Sequence, residues 1–160
     1  ISAHAIMISF EGVPAIYFNS LFGTSNDEAK YIITGNNRDV NRYRWNQKVI
    51  LNHLKNSKSK QSIFYESLTN LLNIKTKQKA FHPNASRITL DIGSKIFCFK
   101  RTSIDKKQSI ICMTNLSSKN QNPNFKKLSS YRDLLNSNLK FREGTSLILK
   151  PFQTVWLTNN

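Results

Sequence analysis

One stretch decides the fold that this sequence predicts: Gly12-Val13-Pro14-Ala15-Ile16-Tyr17-Phe18. Residues 13–18 are mainly apolar and do not alternate with polar ones, which is typical of a strand buried on both faces in a parallel sheet covered by helices. The apolar segment 2–9 predicts a helix before this strand, and Glu11-Gly12 ends that helix. Helix, glycine turn and buried strand together indicate an α/β fold for this part of the chain.

A long polar loop, residues 19–44, follows the predicted strand. It shows no sustained periodicity, and ordered loops of this length in compact domains are usually functional. Its central part is Thr34-Gly35-Asn36-Asn37-Arg38-Asp39-Val40-Asn41-Arg42. Two arginines interleaved with Asn and Asp can bind an anion or a ring of hydroxyl groups, because guanidinium offers a planar fork of donors. Alternatively, Asp39 and the arginines fix the loop through salt bridges, and the residues alone favour neither interpretation.

The rest of the chain divides into a helical and a β-rich part near residue 80. Helical spacing of apolar residues predicts helices over 45–55 and 62–77. From residue 81 the period becomes two, and five short strands are predicted, at 87–90, 95–101, 109–115, 147–150 and 152–157. Residues 131–135 predict a turn in which Asp133 accepts backbone hydrogen bonds. The fold class is therefore α/β over residues 1–80, then all-β, as an antiparallel sandwich, over residues 81–160.

Three side chains in the predicted strands have alternative interpretations. Trp156 in the last strand can be a sugar-stacking platform, but a core position is the stronger prediction. Cys98 and Cys112 lie inside strand-like runs and would face each other if their strands are adjacent. Without secretory features, two buried thiols are favoured over a disulfide, and we expect a cytoplasmic location.

The composition limits the partners that we expect. Net charge is +15 from 24 Lys and Arg against 9 Asp and Glu, yet the basic residues are dispersed and no nucleic-acid-binding motif is present. We therefore expect a solvated basic surface and no nucleic-acid partner. Apolar runs are too short to cross a bilayer, so no membrane partner is expected either. The three histidines are isolated in the sequence, so we predict no metal and no cofactor.

Several segments resemble one family. The stretch 12–18, then Ser20-Leu21-Phe22-Gly23, Asn26-Asp27 and Asn37-Arg38-Asp39-Val40-Asn41-Arg42, resemble the sucrose phosphorylase-like branch of the α-amylase superfamily, glycoside hydrolase family 13. Segments of the β-rich part are similar to the carboxyl-terminal β-domain of that branch: 81–84, 97–101, 115–117, 133–135 and 151–157. The first stretch is shared widely in the superfamily, whereas the Asn-Arg-Asp-Val-Asn-Arg segment is more specific.

The resemblance implies that the chain is the carboxyl-terminal portion of a retaining α-glucosyl-transferring enzyme. Residues 13–18 would be the last strand of a (β/α)8 barrel, and the catalytic carboxylates, on earlier strands, would lie outside this chain. By motif position Arg38 would contact the glucosyl unit, with Asn37 and Arg42 supporting that loop. A sugar substrate and a phosphate acceptor would be the partners, and the chain alone would be inactive.

Two positions depart from the pattern of that family. Asn19 stands where many relatives have His, and Asn36 stands where some have Arg. Both positions bear on the acceptor side, so phosphorolysis and hydrolysis both remain open, as do sucrose, sucrose phosphate and glucosylglycerate as donors. A noncatalytic carbohydrate-binding module and a basic nucleic-acid binder are the alternative functions.

The predicted strand 13–18 also bears on assembly. As a lone barrel strand it would have unpaired edges, which predicts self-association into a homo-oligomer, disorder before residue 60, or order only as part of a longer chain.

Overall fold

In the computed structural model, residues 1–123, 125, 128–136, 141 and 146–159 are described. The chain forms two compact units. The first unit comprises Ile1 and Ala15–Asn70, and the second comprises Ser2–Pro14 and Leu71–Asn160. The structure therefore groups residues 2–14 and 71–80 with the β-rich part, whereas the sequence suggested a single division at residue 80.

The first unit is helical. Its helices are α2 (Phe18–Leu21), α3 (Glu28–Thr34), α4 (Gln47–Lys55) and most of α5 (Lys60–Thr76), with a 3-10 turn at Asn37–Asp39. The helices predicted over 45–55 and 62–77 are thus confirmed as α4 and α5. Asn46 caps α4 by accepting hydrogen bonds from the N–H groups of Lys48 and Val49.

The predicted buried strand over residues 13–18 is wrong for this structure. Residues 13–17 have no regular secondary structure, and the following helix α2 begins at Phe18. Val13 is 83% exposed and Phe18 is 57% exposed, so the segment is not buried either. A strand requires hydrogen-bonding partners on a neighbouring strand, and no described segment pairs with these residues.

The second unit begins with helix α1 (Ser2–Ser9), at the predicted position. One antiparallel sheet of five strands follows, in the order β1-β2-β3-β5-β4. The strands are β1 (Ser86–Thr89), β2 (Ile96–Thr102), β3 (Ser109–Asn115), β4 (Arg132–Asp133) and β5 (Thr154–Thr158). The prediction of an antiparallel β-domain is confirmed, and the described strands lie in a single sheet.

Two strand predictions need correction. Residues 147–150 form no strand, because only Leu149 pairs, in one bridge with Gln121. Conversely, the predicted turn at 131–135 contains β4. The predicted role of the Asp133 side chain is confirmed, since its Oδ1 accepts hydrogen bonds from the N–H groups of Leu135 and Trp156, each at 3.0 Å.

The two faces of the sheet carry different packing. One face holds an apolar core that includes Cys98, Met113, Leu149, Val155 and Leu157. The opposite face packs against the α1 region, where the Phe10 ring lies 5.2 Å from that of Phe99 between centroids. Trp156 on this face is fully buried, with its ring 4.8 Å from Phe81, so the core position predicted for Trp156 is confirmed.

The two cysteines are buried free thiols, as predicted, but they do not face each other. Their strands are adjacent, yet Cys98 lies opposite Met113, and Cys112 lies opposite Phe99. Because residues directly opposite share a face, the one-residue offset places the thiols on opposite faces of the sheet. Burial raises the pKa of Cys98 to about 12 and also raises that of Cys112.

Arg101 is the largest buried charged side chain of the second unit, and the sequence pattern did not identify it. Its Nη1 donates to the Ser9 carbonyl at 2.7 Å, and its Nη2 donates to the carbonyls of His82 at 2.8 Å and Ala85 at 3.2 Å. The pKa of Arg101 is lowered by burial, and the nearby Glu11 carboxylate offsets only part of that shift. Arg101 therefore joins helix α1 and the 82–85 turn to the sheet.

Candidate functional site

The predicted binding residues lie together on the first unit. An open concavity of about 350 Å³ is lined by Tyr17, Asn37, Arg38, Asn41 and Arg42. We refer to it as the arginine pocket. It contains all three residues selected from the sequence (Asn37, Arg38 and Arg42), and Arg38 and Arg42 are both exposed.

Local capping explains how the sequence shapes this segment. Residues 19–44, predicted as a loop, contain most of α2, all of α3 and the 3-10 turn. Asp27 begins α3 by accepting a hydrogen bond from the Lys30 N–H at 3.1 Å, and Gly35 ends it in the left-handed conformation, with φ of +63°. The Asn36 side chain then accepts from the Arg38 N–H at 3.0 Å and starts the 3-10 turn. These caps fix the end of α3 and the start of the 3-10 turn, and so the position of the Arg38 backbone.

The ion pairs of the segment separate the two interpretations of the arginines. Asp39 pairs with Lys30, with Nζ and Oδ1 3.2 Å apart. The pKa of Asp39 is lowered mainly by a hydrogen bond with Thr34 and then by one with Lys30. The charge of Arg42 also lowers this pKa, but it makes a smaller contribution. Across the part of the chain that the structure describes, no carboxylate forms a salt bridge with Arg38 or Arg42. Both guanidinium groups therefore remain available to a ligand.

Four hydrogen bonds attach residues 40–45 to residues 19–27. The Asp27 N–H donates to the Val40 carbonyl at 2.7 Å. Asn19 Nδ2 donates to the carbonyls of Tyr43 at 2.9 Å and Asn41 at 3.4 Å. Trp45 Nε1 donates to Thr24 Oγ1 at 2.9 Å. The segment that contributes Asn41 and Arg42 to the pocket is thus attached to three residues, Asn19, Thr24 and Asp27.

Sequence reasoning missed two lining residues, Tyr17 and Asn41, and one supporting residue, Lys30. Tyr17 and Asn41 stand inside the quoted motifs but were assigned no role there. Tyr17 was expected inside a buried strand, whereas it is 53% exposed. The available signal was the residue type, because Tyr and Asn hydroxyl and amide groups are typical sugar-binding partners.

The lining defines what the pocket can do chemically. Guanidinium, amide and phenol groups can bind hydroxyl groups or an anion, but none of the five lining residues is a carboxylate. Glycosidic bond cleavage of the two-carboxylate type therefore requires groups that this pocket does not hold. The described residues include no group of three or more His, Cys, Asp or Glu placed to hold a metal ion. Within the same part of the chain, no helix has the length and apolarity needed to span a bilayer.

Comparison with known proteins gives the relationships of the chain. No family model matches it. Glucosylglycerate phosphorylase of Escherichia coli (strain K12) is 34% identical over 161 residues, which cover 98% of this chain and 27% of that protein. The chain belongs to the sucrose phosphorylase-like branch of glycoside hydrolase family 13. The glucosylglycerate phosphorylase of Spirochaeta thermophila (strain ATCC 700085 / DSM 6578 / Z-1203) is 30% identical over 117 residues, or 73% of this chain and 20% of that protein.

Solved structures show the same fold. Maltogenic amylase from S. marinus matches with a TM-score of 0.68 at 17% identity, over 99% of this chain and 19% of that chain. At this identity the likeness concerns the fold alone. The family recognised from the sequence is confirmed, and the chain spans about a quarter of the length of the first curated relative it matches.

Proposed function

We propose that this chain is the carboxyl-terminal part of a retaining α-glucosyl phosphorylase, and that its arginine pocket binds the glucosyl unit. Arg38 contacts the sugar, and Asn37 and Arg42 support the same loop. The observation that carries the proposal is that Asp39 pairs with Lys30, which leaves two exposed guanidinium groups in one concavity. Residues 1–80 would complete a (β/α)8 barrel, and residues 81–160 would form the β-domain that follows it.

The chemistry follows the retaining mechanism of the family. A carboxylate outside this chain attacks the anomeric carbon while the bond to the leaving group breaks, and a second carboxyl group protonates that leaving group. A phosphate oxygen then attacks the glucosyl-enzyme and releases glucose 1-phosphate. This chain supplies binding contacts to the sugar and no group that breaks or forms a bond.

The names of the relatives favour glucosylglycerate as the donor, with sucrose as the competing candidate. The partners of the enzyme are then the glucoside and phosphate, and neither nucleic acid nor a membrane takes part. The enzyme acts in the cytoplasm. The chain alone has no turnover. Self-association through the unpaired segment 13–17 is part of the same proposal.

Replacement of Arg38 in the full-length enzyme tests the function. We expect Arg38→Ala to lower kcat/KM about 100-fold or more, because charge-assisted hydrogen bonds to the sugar are lost. Arg38→Lys should recover only part of this, since an ammonium group lacks the planar fork. Arg44→Ala is the matched control, because Arg44 is exposed in the same segment but does not line the pocket. Equal kinetics of Arg38→Ala and Arg44→Ala would remove the assigned role.

Donor assays complete the test. Phosphate-dependent release of glucose 1-phosphate should be faster with glucosylglycerate than with sucrose, and the reverse order would assign sucrose. The purified 160-residue chain should release no product from either. Turnover by the chain alone would mean that the catalytic carboxylates lie within it.

A noncatalytic carbohydrate-binding module is the second candidate, because of another concavity on the first unit. This concavity, of about 260 Å³, contains Tyr43 and Trp45 beside five polar residues, Thr24, Ser25, Asn26, Asp27 and Gln61. Aromatic rings next to such groups suit sugar recognition. Calorimetric titration of the chain with glucose and sucrose distinguishes the two candidate functions, because a binding module binds these sugars without any further part of an enzyme.

A further inference from the structure

Asn19 is a buried amide that hydrogen-bonds the backbone of Asn41, a residue that lines the arginine pocket. It is 6% exposed and lies in α2, two residues after Tyr17, which lines the pocket. Its Nδ2 donates to the Tyr43 carbonyl at 2.9 Å and to the Asn41 carbonyl at 3.4 Å. The two acceptors flank Arg42 in the sequence, so one side chain holds the backbone on both sides of a pocket arginine.

We propose that Asn19 is a positioning residue for the arginine pocket and acts through the backbone of Asn41 and Tyr43. The inference rests on the proposed function, because it assigns the task of holding the sugar-binding loop in place. Asn19 itself does not line the pocket. It fixes the main chain from which Asn41 and Arg42 extend.

The amide group suits this task better than the alternatives. Its Nδ2 carries two N–H groups, one for each carbonyl, whereas a carboxylate would present only acceptors to two acceptors. Its Oδ1 is buried and has no hydrogen-bond partner among the described residues. Burying an amide oxygen without a hydrogen bond costs stability. Any contribution of Asn19 to the structure must therefore come from its two N–H donors. The other attachments of this segment involve Val40 and Trp45, which lie outside the span from Asn41 to Tyr43.

The test uses the full-length enzyme and Asn19→Leu, which keeps a similar volume and removes both donors. We expect kcat/KM for the glucosyl donor to fall about tenfold, mostly through KM, because the loop loses its position while the bond-breaking groups are untouched. Asn19→Asp, which keeps the size but loses the donors, should behave likewise and serves if the Leu variant does not fold.

A double-mutant cycle with Arg38→Ala separates positioning from general damage. If Asn19 acts through this loop, Asn19→Leu should change kcat/KM by about twofold or less once Arg38 is already Ala. Asn46→Ala is the matched control, because Asn46 caps α4 in the same unit. It should lower the melting temperature, leave kcat/KM unchanged, and behave additively with Arg38→Ala.

The outcomes distinguish the two proposals. An effect of Arg38→Ala without any effect of Asn19→Leu overturns the positioning role and leaves the proposed function standing. So does an equal loss from Asn19→Leu in both backgrounds. If Arg38→Ala itself has no effect, the proposed function fails and the assignment of Asn19 fails with it.

Discussion

The Lys30 ammonium lies 3.2 Å from the Asp39 carboxylate, which joins helix α3 to the 3-10 turn that carries Arg38. Asp39 is the only carboxylate within residues 34–42. Its pairing with Lys30 therefore determines whether Arg38 and Arg42 face a ligand or an internal partner. Lys30 thus sets the partner of Asp39 although it does not line the pocket.

We predict that Lys30→Met raises KM for the glucosyl donor severalfold in the full-length enzyme. Without Lys30, the nearby Arg42 is the cation that Asp39 can attract, and an arginine drawn to Asp39 binds ligand less well. The free energy of unfolding should change little, because exposed ion pairs contribute little to stability. Steady-state kinetics and urea titration measure the two quantities.

The double variant Lys30→Met/Asp39→Asn provides the check. Removing the carboxylate charge should restore KM toward the wild-type value, and Lys48→Met, an exposed change on α4, should have no effect. If the double variant is as impaired as Lys30→Met, Asp39 is not the competitor and the explanation is wrong.

Elements that depend on local pattern were predictable from the sequence. Helices α1, α4 and α5 and strand β3 show apolar spacing within a single segment, and β3 matches its predicted bounds, Ser109–Asn115. Residues 13–18 and 147–150 carry equally apolar sequences, but a strand exists only where a second segment supplies hydrogen bonds. That partner is a property of the assembled chain.

The polar contacts were less predictable for the same reason. Arg101 follows Lys100 in β2, and two successive basic residues are typical of an exposed edge strand. The register places Arg101 opposite Ile110, on the face of the sheet where it bonds the Ser9 carbonyl of α1. Lys30 and Asp39 meet only because Gly35 reverses the chain between them. The family motif selected Arg38, Asn37 and Arg42, which line one concavity in the structure. The contacts of Asn19 and Lys30 could be read only from the three-dimensional structure.

Asp133 should give the second unit a pH-dependent stability. It is 3% exposed, and burial raises its pKa to about 6, although the hydrogen bonds from Leu135 and Trp156 oppose that shift. The folded state then binds a proton more tightly than the unfolded state. Stability should therefore fall as pH rises from about 4 to about 6, by up to ~1.4 kcal/mol per pH unit, and level off above that range.

Asp133→Asn tests this prediction. Its amide oxygen can accept both hydrogen bonds without a buried charge, so the variant should lose the extra slope between pH 4 and 6. Asp105→Asn is the control: the pKa of Asp105 is lowered to about 2, so its contribution to stability is constant above about pH 4 and changes only below that pH. Urea titrations across pH 4 to 8 measure the difference between each variant and wild type. An unchanged slope in Asp133→Asn would show that Asp133 titrates normally.

Two glycines of the first unit should respond differently to the same substitution. Both have positive φ, +55° at Gly23 and +63° at Gly35. A Cβ at Gly23 would lie 2.8 Å from the Phe64 ring, whereas one at Gly35 would have no atom within 4 Å. Gly35→Ala should cost about 1 kcal/mol of unfolding free energy from backbone conformation alone. Gly23→Ala should cost about 2–4 kcal/mol, because the ring must also move.

The contribution of the ring is isolated by Phe64→Ala. In that background the cost of Gly23→Ala should approach that of Gly35→Ala, because the ring atoms at 2.8 Å are gone and only the Cβ of residue 64, at 3.3 Å, remains close. Urea-induced unfolding of the four single and double variants gives the coupling energy directly. Equal costs for Gly23→Ala and Gly35→Ala with Phe64 present would mean that the ring yields freely, and that Gly23 is required only for its backbone conformation.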